Sequence, residues 1–212
     1  MLVIAYSSNQ GYLNMVNRLR RICSEWEIPF KAYDRLWLEG TDFYKSNQEI
    51  LNTPKGNGLW AWKPYIIMDA LHSDDEIIYL DSSVIPEDKE CLLNLMRSTV
   101  DISSLPTTFV NRGWTKRLCF EKMDCDFSRW WNAPQVWAGV VSAKISGANI
   151  LSEWLNFCTQ KDVISDDPCE GNFDGFIEHR HDQSILTNLL IKFDQPLFEG
   201  GLFQDMVDYE AK

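Results

Sequence analysis

The sequence predicts an α/β fold: a single domain around a mostly parallel central sheet. Three observations lead there. Residues 1–33 read strand, helix, strand; an apolar strand in mid-chain stops on an aspartate; and helical and strand patterns alternate with no change of composition between them. A chain of 212 residues is about one domain's worth and buries roughly 70% of the surface its unfolded form exposes. The 45% hydrophobic and 24% charged content excludes a disordered chain. No repeat or linker-like stretch interrupts it, so residues 1–212 read as one unit.

Leu2-Val3-Ile4-Ala5-Tyr6 is the first strand, and it ends in the turn-rich Ser7-Ser8-Asn9-Gln10-Gly11. Leu13, Val16, Leu19, Cys23 and Trp26 then recur at helical spacing, with Arg18, Arg20 and Arg21 on the wet face. Residues 28–33 form a second strand, which completes a β-α-β unit and calls for a parallel crossover. A helix is expected over residues 42–51, ending before Pro54. The glycine loop Gly56-Asn57-Gly58 leads to Trp60-Ala61-Trp62-Lys63-Pro64, where Pro64 suits the first turn of a helix that runs to Leu71. Glu76-Ile77-Ile78-Tyr79-Leu80 is a buried strand ending at Asp81-Ser82-Ser83. A helix over 88–96 follows, then a mixed stretch over 107–132 with a basic knot at Arg112, Lys116 and Arg117. Residues 135–143 read as strand and 148–158 as an amphipathic helix. The Asp- and Gly-rich segment 161–175 is long for a loop in a compact domain, which marks it as functional or mobile. Residues 182–191 form the last helix, ahead of an irregular acidic tail that reaches Lys212.

Charge narrows the function. With 31 acidic and 20 basic residues the formal charge is −11, which argues against a general binder of nucleic acid or anionic membranes. Residues 1–70 carry eight basic and seven acidic side chains, while residues 161–212 carry four and twelve. An anionic ligand must therefore be met by the first third of the chain, by a few local cations, or by a metal. The apolar runs are far too short to span a membrane and the chain opens directly on a strand, so a soluble, cytoplasmic protein is expected. The six cysteines include no C-x-x-C pair, and reduced thiols suit that compartment. Nine tryptophans are either core or the walls of a cleft.

Four places carry residues suited to chemistry. Asp81 follows the most strand-like run, and ligands of open α/β sheets sit at the carboxyl ends of strands; it holds a cation or a ribose hydroxyl, or simply caps the next turn. In His179-Arg180-His181-Asp182-Gln183, Asp182 is either a general base or a helix N-cap. Lys63 is either a surface lysine or the cation that meets a phosphate, with Trp60 and Trp62 as core or cleft wall. Gly56-x-Gly58-x-x-Ala61 lacks a preceding strand and is not a dinucleotide fingerprint.

Taken together, Gly58-Leu59-Trp60-Ala61-Trp62-Lys63-Pro64, Tyr79-Leu80-Asp81, Gln135-Val136-Trp137-Ala138-Gly139 and Arg180-His181-Asp182-Gln183-Ser184 resemble the ordered motifs of a family of small GT-A-type glycosyltransferases, chlorella-virus members among them. The resemblance spans residues 1 to about 191. It implies a GT-A-like α/β/α sandwich whose N-terminal part, about residues 1–100, binds a nucleotide-diphosphate sugar, with the remainder on the acceptor side. It implies transfer of a hexosyl or deoxyhexosyl group from a donor, UDP-linked on this reading, to a saccharide hydroxyl, with inversion and with Asp182 as general base. The implied donor-binding residues are Ala5, Tyr6, Ser7, Trp60, Trp62, Lys63, Asp81, Ser83, Gln135, Trp137 and Gly139. Mn²⁺ or Mg²⁺ is the implied cofactor, held by Asp81 with help from Ser83 or His181. The family's D-x-D motif here reads Asp81-Ser82-Ser83, and that loss of the second carboxylate motivates the alternative of a catalytically silent nucleotide-sugar or carbohydrate-binding module. A metal-dependent hydrolase using His179, His181 and Asp182 needs more ligands than the sequence offers. No nucleic-acid or membrane partner is expected.

Overall fold

The strands of the computed structural model, which describes residues 1–201 and 203–205, are β1 (Leu2–Ser7), β2 (Phe30–Asp34), β3 (Glu76–Leu80), β4 (Val84–Pro86), β5 (Ile102–Val110), β6 (Pro134–Lys144) and β7 (Phe203–Asp205). Five of them form one sheet in the order β2-β1-β3-β6-β5, and β4 pairs with β7 separately. β1 runs parallel to both β2 and β3, whereas β6 runs antiparallel to β3 and β5. Four of the five strands therefore point one way and only β6 opposes them. The chain goes from β1 to one side for β2 and to the other for β3. That reversal opens a crevice at the strand ends, where open α/β sheets bind ligands.

The longer helices are α1 (Gln10–Glu25), α2 (Lys63–Ala70), α3 (Lys89–Ser98), α4 (Ala148–Cys158) and α5 (His181–Lys192). Strand alternation assigns them to two layers. Ile4, Tyr6, Ile77, Tyr79 and Val141 face α2, α4 and α5, where Ile66, Ile67, Leu151, Trp154, Ile185 and Leu189 complete one core. Val3, Ala5, Ile78, Leu80 and Val140 face the other way, against Val16, Leu19, Cys23, Leu92, Leu95 and Met96 of α1 and α3. Each fully buried Leu or Ile contributes roughly 1.5–3 kcal/mol. Both faces of β1 and β3 are thus covered, which is why these strands read as unbroken apolar runs. Caps fix the helix starts: Asn9 Oδ1 accepts from the Gly11 and Tyr12 amides at 2.9 and 3.2 Å, and Asp88 Oδ1 from the Cys91 amide at 2.8 Å.

The sandwich and most of the longer elements follow the sequence reading; β4 and several short helices, Arg35–Glu39 and Arg117–Lys122 among them, have no counterpart in it, and four further differences stand out. The helix expected over 42–51 is two short ones, Asp42–Ser46 and Gln48–Leu51, separated at Asn47. β5 has no counterpart in the sequence reading, because Ser103, Ser104 and Pro106 interrupt any apolar alternation; Pro106 is tolerated because β5 is an edge strand. The segment 161–175 begins with a helical turn, Lys161–Ile164. The expected irregular tail contains β7, and residues 206–212 lie outside the described residues. All six cysteines are free thiols. Among the described residues no helix is long and apolar enough to cross a membrane.

Two glycines separate backbone strain from lack of space. Gly58 has φ +104°, and a Cβ there would lie 2.7 Å from Leu51 Cα; Gly171 has φ +79° with nothing within 4 Å. Gly171→Ala meets the conformational cost alone, whereas Gly58→Ala adds overpacking of roughly 1–3 kcal/mol. Urea denaturation of both variants is expected to show the larger loss at position 58.

Candidate active site

A cleft of about 750 Å³ opens at the carboxyl ends of β1, β3 and β5, with Tyr6, Trp60, Trp62, Lys63, Asp81, Ser83, Trp137, Gly139 and Asp182 in its lining. Its centre is a buried lysine. Lys63 stands in the first turn of α2 with its side chain 3% exposed. Its Nζ donates to the Ala138 carbonyl at 3.0 Å and lies 3.1 Å from Asp81 Oδ1 and 3.4 Å from Asp182 Oδ2. The Tyr79 hydroxyl also donates to Asp81 Oδ1. Four motifs far apart in sequence meet here because β3, β6, α2 and α5 bring their ends together.

Burial sets the electrostatics of the group. It pulls the Lys63 ammonium down, but the charges of Asp182 and Asp81 outweigh it and leave the pKa raised. Asp182, 4% exposed, is pushed up to about 7 chiefly by burial, with the Lys63 charge opposing that rise and Asp81 adding to it. Its Oδ2 has no hydrogen-bond partner. Asp182 is not an N-cap: α5 starts at His181, after Arg180, and no side chain caps it. The Asp182 backbone is instead anchored by its carbonyl, which accepts from Trp154 Nε1 at 3.0 Å.

The rim is strained. Gly56, Asn57, Gly58, Leu59 and Trp60 all have positive φ, as does His181 at +49°, and each non-glycine residue so placed costs roughly 1–2 kcal/mol. Arg35 holds this arc through Nη1, which donates to the Leu51 carbonyl at 2.8 Å and to Asn57 Oδ1 at 3.2 Å. The Trp60 ring lies 5.7 Å from that of His181. Both histidines of the motif are committed to the backbone of the 163–165 segment: His179 Nε2 meets the Val163 carbonyl at 2.9 Å, and His181 Nδ1 meets the Ile164 carbonyl at 2.8 Å. Burial lowers the pKa of both. They fasten the start of α5 to the loop beside it.

Several expected residues stand elsewhere. Ala5 faces the α1/α3 core and Ser7 is buried, so neither lines the cleft. Gln135 points inward, where its Nε2 donates to Thr115 Oγ1 at 3.0 Å and its Oε1 accepts from Gln183 at 2.9 Å. Of the basic knot, Lys116 is buried on the Ser165 carbonyl at 2.7 Å and Arg117 pairs with Asp126 at 2.7 Å; none of its three cations lines the cleft. Sequence reading missed Asn9, Tyr79, Phe109, Glu178, Arg180 and Asp205, all of which line it. Gln183 also belongs there, with Oε1 3.3 Å from the Ala138 amide.

For a divalent cation, the donor set offers oxygen ligands. Asp81 Oδ1 is taken by Tyr79 and Lys63, but Oδ2 faces Gly139, where a Cβ would come within 3.0 Å of it. Ser83 stands beside Asp81 in the same lining. Among the described residues no group of three or more His, Cys, Asp or Glu side chains forms a metal seat. The set fits an ion shared with substrate phosphates, the usual mode for Mg²⁺, and not an all-protein cage.

The overall structure is similar to that of mouse xyloside xylosyltransferase 1, with 8% identity over 94% of this chain and 84% of that one at a TM-score of 0.50. The chain has a GT-A glycosyltransferase fold. Weaker likenesses are to a glycosyltransferase involved in glycosylation of the major capsid of PBCV-1 (11% identity, 75% of this chain, TM-score 0.46) and to the galactosyltransferase LgtC (16%, 89% and 70% of the two chains, TM-score 0.43). The chain spans about two thirds (66%) of the length of the PBCV-1 protein. No protein-family model and no curated protein sequence matches it.

Removing the lysine tests the central group. Lys63→Met keeps the length of the side chain and strands two carboxylates, so the fold should lose about 3–5 kcal/mol near neutral pH. The Asp182 carboxyl, already raised, rises further without its cation. The deficit relative to wild type should therefore shrink as pH falls towards 5 and grow towards 8, as read by urea unfolding across that range.

Proposed function

We propose that this chain is a glycosyltransferase that moves a sugar from a UDP-linked donor to a saccharide hydroxyl with inversion, and that Asp182 is its general base. The observation that carries this reading is a buried carboxyl in the lining of the cleft of a GT-A fold, with a pKa of about 7. A base poised near neutrality takes a proton from an alcohol far better than an ordinary carboxylate does. Asp182 would accept the proton of the acceptor hydroxyl as that oxygen attacks the anomeric carbon from the face opposite the leaving diphosphate. Lys63 holds Asp182 and Asp81 at fixed places, and the Ala138 carbonyl fixes Lys63 in turn.

Tyr6 and Trp62, stacked at 3.9 Å between ring centroids, lie on the β1 side of the cleft and suit a nucleoside, with Trp137 and Gly139 towards the sugar. Asp81 Oδ2 and Ser83 would hold Mn²⁺ or Mg²⁺, which when bound supplies positive charge to the departing diphosphate. The cleft needs such charge: its lining has three cations, Lys55, Lys63 and Arg180, against four carboxylates, Asp81, Glu178, Asp182 and Asp205. A second reading, a binding module without turnover, draws on Ser83 standing where a second carboxylate is usual. Donor binding with no transfer to any saccharide would favour it.

The pH profile tests the base. Protonated below pH 7, Asp182 accepts nothing; ionised above it, it does. kcat/KM for transfer or donor hydrolysis should rise with pH through a midpoint near 7. Asp182→Asn should remove that limb and lower turnover at least ~100-fold, while Asp81→Ala should weaken donor binding. Retention of configuration in the product, seen by NMR, would rule out Asp182 as a base for in-line inversion.

A further inference from the structure

The β5 side of the cleft has a feature that neither the lysine centre nor the nucleotide half uses. Phe109, near the end of β5, is 39% exposed, and its ring packs 4.6 Å from that of Trp114. The Arg180 guanidinium lies 4.5 Å over the Trp114 ring and 5.9 Å from Phe109, with Nε 3.0 Å from Glu178 Oε1. The frame beneath is fixed: the Trp114 carbonyl accepts from the Arg180 amide at 3.0 Å, from Ser184 Oγ at 2.8 Å and from Gln135 Nε2 at 3.2 Å. An open aromatic face thus stands beside a polar fork that both donates and accepts.

We propose that this ledge is the acceptor subsite and that it takes a neutral pyranose, an inference that rests on the glycosyl-transfer reading. Position supports it. The sheet order puts β1 and β3 on one side of β6 and β5 on the other, so a donor at the β1/β3 crevice leaves the β5 side for the second substrate. Arg180 and Asp182 are separated by one residue, so their Cα atoms are at most ~7.6 Å apart. A sugar resting on Phe109 would then lie beside Arg180, two positions before Asp182.

Chemistry supports it as well. The C–H face of a pyranose packs on an aromatic ring, while guanidinium N–H groups donate to its hydroxyls and a carboxylate accepts from them. Charge selects against an anionic sugar. Glu178 already compensates Arg180, so a uronate or phosphorylated sugar would have to displace it within a lining that has more carboxylates than free cations.

The experiment combines calorimetry with UDP and saturation-transfer NMR with methyl pyranosides in the presence of UDP. The panel comprises the methyl glycosides of glucose, galactose, xylose and rhamnose, plus methyl glucuronide. At least one neutral glycoside should bind, more tightly than the glucuronide. Phe109→Ala, at an exposed position, and Glu178→Gln should each weaken it ~10-fold, and the neutral change at Phe109 should leave UDP affinity unchanged. Glycoside binding that ignores both substitutions, preference for the glucuronide, or no glycoside binding to a protein that binds UDP would overturn the subsite alone. Failure of UDP, GDP and ADP all to bind would overturn the transfer reading, and the acceptor assignment with it.

Discussion

An ammonium group taken out of water must be compensated where it stands, and Lys63 imposes that condition on the rest of the molecule. Its partners come from the turn after β3, from β6 and from the first turn of α5. The strand order and the placement of α5 are coupled through this one atom. Compensation is not one to one, because two carboxylates face a single cation. Asp81 is 31% exposed whereas Asp182 is only 4% exposed, so burial weighs most on Asp182. The same enclosure that requires Lys63 to be paired thus makes Asp182 the group that titrates near neutral pH.

Left-handed backbone clusters around this centre, with Glu27, Asp124 and Asp194 as isolated non-glycine instances elsewhere among the described residues. The arc from Gly56 to Trp60 and the turn at His181 are left-handed, and both border the cleft. Each is held from outside: the arc by Arg35, the turn by two histidine–carbonyl bonds to the 163–165 segment. Burial lowers the pKa of both imidazoles and so favours their neutral forms. Fixed walls around one titrating carboxyl suit a site in which geometry precedes chemistry.

What could be read from the sequence follows from this arrangement. β1, β3, α1 and α4 were legible because burial on both faces of the sheet writes long apolar runs, and single-faced helices write a 3.6-residue period. β5 was not, since an edge strand tolerates Ser103, Ser104 and Pro106. Asp81 was found by its place after a strand, and Lys63 by its motif, yet the burial of Lys63 was invisible because pattern gives a lone lysine no reason to leave water. Asp182 as cap or base could not be decided without knowing which way α5 enters the core. Gln135 went the other way: a motif position that the fold turns inward. Phe109 carries no local signal, and Glu178 and Arg180, though beside or within the motif of Asp182, have no role that pattern assigns until β5 and the start of α5 come together.

The net charge of −11 acquires a local form at the cleft. The basic knot cannot relieve it, because Lys116 and Arg117 are bound to Ser165 and Asp126. With Asp182 protonated the three lining cations balance three carboxylates; with Asp182 ionised the lining is negative by one charge. On the proposed reading, a polyanionic donor entering such a space would raise the Asp182 carboxyl further, and by linkage the protonated protein would bind that donor more tightly. Donor affinity and base strength therefore pull in opposite directions on one proton. Positive charge that arrives with the donor removes the conflict, since it offsets the phosphates without adding a fixed cation to compete with Lys63 for Asp182. On that reading the Asp81 Oδ2 beside Gly139, the oxygen not taken by Lys63 and Tyr79, is where such charge would be held, which would give Asp81-Ser82-Ser83 a use with one carboxylate instead of two.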